Sequence, residues 1–146
     1  MRGALNTIDK KVAHYLKEHG VESLRYSLAV VFIWFGILKP FGLSPAQELV
    51  ANTVYWFNPS WFVPFLGYWE VAIGLCILLK PLLRVGLILM AVQMIGTFLP
   101  LVILPEVAFV EFPFVLTLEG QYIIKNIVLI AAGMVIGSHV RDKEGR

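Results

Sequence analysis

WFVPFLGYWEVAIGLCILL, residues 61–79, is apolar throughout except for one carboxylate, Glu70. Its length matches the roughly 20 residues that a helix needs to cross the hydrocarbon of a bilayer. Three other runs have similar length and character: LRYSLAVVFIWFGILKPFG, VGLILMAVQMIGTFLPLVIL and YIIKNIVLIAAGMVIGS. Each is predicted to be helical, because an open strand in hydrocarbon would leave backbone groups unpaired. The expected spans are 22–40, 61–79, 84–104 and 121–138, which makes the fold class an all-α, polytopic membrane protein built as a four-helix bundle.

Composition agrees with that reading. The chain has 146 residues, 58% of them hydrophobic and 15% charged, and its mean hydropathy is +0.77. A soluble domain of this size would need polar faces that the runs lack. The length suits one membrane domain over residues 1–146. Mostly polar residues precede the first run and no small-x-small site follows a short apolar stretch, so helix 1 is expected to remain as an anchor.

Lysine and arginine predict the orientation. Arg2, Lys10, Lys11, Lys17, Arg25, Lys80, Arg84, Arg141, Lys143 and Arg146 fall on one side, against only Lys39 and Lys125 on the other. The positive-inside rule then predicts cytoplasmic N- and C-termini. The net charge of +2 reads as a topology signal, with nothing to suggest nucleic-acid binding. The single cysteine, Cys76, excludes an internal disulfide, a CxxC pair and a structural zinc site. No metal ligands, facing haem histidines or catalytic motif are visible; His14, His19 and His139 read as surface groups.

Two shorter amphipathic segments flank the spans. Residues 5–19 place Leu5, Ile8, Val12, Tyr15 and Leu16 on one face, with Gly20 as the expected stop, and are predicted to lie on the cytoplasmic leaflet. Residues 44–57 read as an outer interfacial helix, with Ser44 as N-cap, Pro45 at the first position and Gln47 completing a capping box. Tyr55, Trp56 and Trp61 suit an interfacial belt. The loop PEVAFVEFPFVLTLEG is too short and acidic to cross and is expected to fold over the outer end.

Glu70 poses the functional question. At 1.5 Å per residue it lies about 12 Å below the outer boundary, where a short carboxylate cannot reach water. Lys39 closes helix 1 on that side, and Lys125 with Asn126 sits near the outer end of helix 4; helix 3 contributes Gln93 and, one turn further out, Thr97. Intramembrane charges are expected to face inward and pair. Glu70 could pair with Lys39, with Lys125 or with both, or stay neutral and hydrogen-bond to Gln93 or Asn126. An ion pair that only fixes helix register is the structural alternative to a functional group. Gly67, Glu70 and Gly74 share one face of helix 2, and Asn126, Ile130, Gly133 and Gly137 one face of helix 4, which suits close packing. Trp34, Phe35 and Trp69 could line a flat-ligand slot or simply pack. Arg25 is expected to snorkel to headgroups.

These polar residues carry a family resemblance. Arg25, Gly36 and Lys39 resemble the first-helix pattern of DoxX-like membrane proteins, and Glu70 with Gly74 is similar to their second-helix E-x-x-x-G. Lys125 and Asn126 in EGQYIIKNIVLIAAG resemble the last-helix pattern of the YkgB-type branch. The likeness covers approximately residues 24–140. It implies a four-helix bundle in a bacterial cytoplasmic membrane, with links to thiosulfate:quinone oxidoreduction, redox-enzyme maturation, oxidant resistance and assembly.

The expected function is a non-catalytic membrane component whose outer polar pocket, formed by Glu70, Lys39, Lys125, Asn126 and Gln93, binds a small amphipathic molecule. A quinone or lipid is the candidate ligand, and no other cofactor is evident. Expected partners are the bilayer and a membrane redox or stress-response protein or a second copy. The alternatives are a subunit of a quinone-linked oxidoreductase, a scaffold or assembly factor, and, more distantly, a proton-coupled transporter.

Overall fold

A single helix, α1 (Arg2–Leu38), opens the chain and runs unbroken through both the polar N-terminal segment and the first apolar run. In this computed structural model the described residues are 2–144 for the backbone and 6–140 for side chains. The side chains of Arg2, Leu5, Arg141, Lys143 and Arg146, used above, lie outside them. The expectation of separate helices over 5–19 and 22–40 is therefore corrected. Glycine inside a helix costs about 1 kcal/mol relative to alanine, but Gly20 meets no neighbour and no proline follows to break the hydrogen-bond ladder.

The end of α1 is set locally. Pro40 disfavours helical backbone at the residue before it, and Gly42 adopts a left-handed φ of 69°. Leu43 N–H donates to the Leu38 carbonyl at 2.9 Å and Gly42 N–H to Lys39 at 3.1 Å. This pair of bonds is a Schellman closure, and it holds Lys39 in the turn beside the next span.

Helix α2 (Gln47–Thr53) is shorter than the interfacial helix expected over 44–57. Its N-cap is Ala46, without a side-chain cap bond. Ser44 takes part through its carbonyl, which accepts from Gln47 N–H at 3.2 Å, so the expected capping box does not form. Asn58 instead caps α3 (Pro59–Leu78), accepting from Ser60 N–H, with Pro59 at the first position. After a 3-10 turn at Lys80–Leu82 come α4 (Leu83–Phe98) and α5 (Pro100–Ile103). Pro100 has no N–H and interrupts this third span.

The acidic loop forms α6 (Pro105–Ala108), then the antiparallel pair β1 (Phe109–Glu111) and β2 (Val115–Leu116). A fourth span follows as α7 (Leu118–Ile124) and α8 (Asn126–Glu144), joined at Lys125. Among the described residues four segments, Asn6–Leu38, Pro59–Leu78, Lys80–Ile103 and Leu118–Val140, are long and apolar enough to cross a membrane. An even number of crossings puts both ends of the chain on one side, here called the termini side.

The spans close a ring in which α1 packs on α3, α3 on α4, α4 on α8 and α8 on α1. Leu28, Phe32, Ile73, Ile77, Met90 and Ile136 are among the residues that fill its centre. Association in lipid rests on close packing, and glycine makes it possible here. A Cβ on Gly74 would meet Ile33 at 2.5 Å and the Ala29 carbonyl at 2.8 Å, and one on Gly133 would meet Met90 at 2.2 Å.

Candidate functional site

Glu70 sits on the α3 face that carries Gly67 and Gly74, and that face packs against α1. The turn after α1 delivers Lys39 to the same level. The Lys39 ammonium donates to one Glu70 oxygen, forming an ion pair in which Lys39 is 6% and Glu70 12% exposed. Gln93 of α4 donates from Nε2 to the other carboxylate oxygen at 3.0 Å. Three spans are thus tied at one carboxylate, each of its oxygens engaged. Thr97, one turn beyond Gln93, donates to the Gln93 carbonyl at 3.0 Å.

Lys125 and Asn126 do not join this group. Lys125 is exposed, and its ammonium lies 4.2 Å from the Tyr122 ring centre and 5.8 Å from that of Phe35 on α1. It has no carboxylate partner among the described residues. Asn126 donates to the Tyr122 carbonyl one turn back at 3.2 Å, which satisfies it within its own span. The far half of the bundle therefore holds two distinct polar features: a buried triad and an exposed cation between two rings. Of the aromatic trio, Trp34 is exposed, Phe35 flanks Lys125, and Trp69 packs on the core and against Phe65.

A second polar group, on the termini side, was only half legible. Arg25 is 4% exposed and does not snorkel. It donates from Nη1 to the Leu78 carbonyl at 3.1 Å and from Nη2 to Glu22 at 2.6 Å, with its guanidinium 4.8 Å from the Tyr26 ring centre. Lys80 approaches the other Glu22 oxygen at 3.7 Å. The physical reason is the end of α3: its last carbonyls lack intrahelical partners and carry the negative end of the dipole, so they draw a cation inward. Glu22 was missed from the sequence; its place three residues before Arg25, an i,i+3 pair on one helix, was the available signal.

Among the described residues no three His, Cys, Asp or Glu side chains converge as a metal site. Cys76 is half-buried, beside the point where Gly86 lets α4 approach α3.

Comparison with protein families gives a match to the DoxX family over residues 20–103, which takes in α1 from Gly20, the triad and Arg25. No curated protein and no solved structure matches.

Proposed function

Because this chain belongs to the DoxX family, we propose that it is a non-catalytic membrane component that binds a small amphipathic molecule, a quinone or a lipid, and serves a redox or stress-response partner. The observation that carries this reading is Lys125. An exposed ammonium within a span, flanked by Tyr122 and Phe35 and with no carboxylate partner among the described residues, suits an oxygen-bearing headgroup or a quinone carbonyl, while the rings suit a flat or apolar body. The Lys39–Glu70–Gln93 triad is a separate, buried group. With both oxygens engaged, Glu70 holds the spans in register and leaves the ligand to Lys125.

In this reading the membrane is the bacterial inner membrane and the termini are cytoplasmic, which puts Lys125 in the outer leaflet; the lysine and arginine bias supports this. The Lys125-Asn126 pair, beyond the residues matched to the family, supports the YkgB-type branch.

Mass spectrometry of the gently purified protein tests the proposal. One quinone or one lipid class should be retained by the unchanged chain and by Lys125→Arg, and lost from Lys125→Ala. Bulk lipid alone, identical in all three, would overturn it.

A scaffold or assembly role is the second reading, favoured by the N-terminal part of α1. Residues 6–20 are exposed, and all but Gly20 lie outside the family match. A stable membrane partner that co-purifies regardless of Lys125→Ala would favour this role over ligand binding.

A further inference from the structure

Two helices place the groups around Lys125 at one depth. Tyr122 stands four residues into α7 and Phe35 three residues before the end of α1, so each lies roughly 5–6 Å from the end of its span opposite the termini, at 1.5 Å per residue. The segment Leu118–Val140 is about 34 Å long against about 30 Å of hydrocarbon, which sets Leu118 close to the boundary. Side chains on a helix lean toward its N-terminus. The Lys125 ammonium accordingly reaches back over the Tyr122 ring, at 4.2 Å from its centre, and rises toward the headgroups.

The charge it brings there is unmatched. Lys39, the other lysine at this end, is engaged by Glu70, whereas Lys125 makes no ion pair among the described residues. Glu106, Glu111 and Glu119 are exposed and lie before or within the first turn of α7, where water screens them. Rings attract a cation but carry no net charge. One positive charge is therefore left at the edge of the hydrocarbon, where it is costly. A quinone carbonyl is neutral and leaves that charge standing. A phosphodiester cancels it, and lysine serves phosphate as a point-charge donor. The Tyr122 hydroxyl, on a side chain 55% exposed, offers a second donor beside the ammonium.

The surroundings suit an acyl chain below such a headgroup. α1 packs on α8, and one turn deeper than Phe35 and Lys125 stand Val31, half-buried, and Val128, 68% exposed.

We propose that the Lys125 site takes one anionic phospholipid, with its phosphate on the Lys125 ammonium and the Tyr122 hydroxyl and an acyl chain along Phe35 and Val128. This rests on the ligand reading above and narrows it from a quinone or any lipid to a lipid of negative charge.

Native mass spectrometry of the full chain tests this. The delipidated protein in detergent is titrated with dioleoylphosphatidylglycerol, dioleoylphosphatidylcholine, a ubiquinone or inorganic phosphate; the two lipids share acyl chains and differ in charge. Cations on the termini side can hold the same lipid, so the readout is the adduct that differs between the unchanged chain and Lys125→Met. That adduct should favour phosphatidylglycerol over phosphatidylcholine by about fivefold, the scale of one lysine at an anionic surface. Lys125→Arg should keep the preference, and Tyr122→Phe should weaken it about threefold, the scale of one hydrogen bond. A ubiquinone adduct that depends on Lys125, without a preference for phosphatidylglycerol, would overturn this inference and leave the ligand reading standing. So would equal, Lys125-dependent binding of the two lipids. Displacement of phosphatidylglycerol by millimolar inorganic phosphate would make the site one for the free anion and overturn the lipid. No adduct that depends on Lys125 would overturn both readings.

Discussion

Gly36 and Gly67 meet backbone to backbone where α1 crosses α3. A Cβ on Gly36 would lie 2.7 Å from the Gly67 carbonyl oxygen, and one on Gly67 would lie 2.6 Å from that of Gly36. The same crossing brings Lys39 to Glu70, since the Gly36 position also abuts the Glu70 Cβ at 2.9 Å. Close packing and the ion pair are thus one feature: without the glycines, the short carboxylate and the turn lysine could not share a level.

Gly36→Ala and Gly67→Ala are each expected to destabilise the bundle by about 1–3 kcal/mol, the usual cost of overpacking. Gly96, with nothing within 4 Å, is the control, and Gly96→Ala should be neutral or stabilising by up to about 1 kcal/mol. Thermal unfolding in one detergent compares the three. Equal losses at all three positions would show that the close approach at the crossing does not govern them.

Removing one member of the buried pair leaves the other uncompensated. Lys39→Met and Glu70→Leu are each expected to cost about 3–5 kcal/mol, and the double variant much less than their sum. A double-mutant cycle on unfolding free energy measures the coupling, and additive losses would mean that the two charges do not depend on one another.

Arg25→Met should loosen the termini-side end of α3, because the Leu78 carbonyl loses a donor that is charged; such a bond contributes about 1.5–3 kcal/mol. Hydrogen exchange over the last turn of α3 should rise while exchange around Glu70 stays as it was. Unchanged protection at Leu78 and Leu79 would contradict this anchoring role.

Lys125→Ala should leave stability within about 1 kcal/mol of the unchanged chain, the scale of an exposed cation–ring contact. Its effect should fall instead on retention of the bound amphipathic molecule. A large drop in melting temperature without ligand loss would assign Lys125 to the structure of the bundle.

The four spans, the even number of crossings and the presence of Glu70 inside one of them were legible from the residues, because hydrocarbon imposes length and apolarity on any crossing segment. The pairing of Glu70 was left open among Lys39, Lys125, Gln93 and Asn126. Periodicity ranks faces on each helix but does not say which helix stands next to which. Arg25 shows the same limit: near the end of a span it reads as a snorkelling cation, and only the neighbouring end of α3, far along the chain, explains why it is buried. Gly20 was misread for a local reason, since a glycine stops a helix only when the chain must turn there.

Residue content and order alone place this chain in a bilayer as helices and require a partner for a carboxylate held within them, since burying charge in hydrocarbon is costly whatever the fold. That Lys39 and Gln93 are the partners, while Lys125 and Asn126 stand apart, follows from how the helices pack. Side-chain reach is a few ångströms, and the close glycine crossing of α1 and α3 determines which groups fall within it.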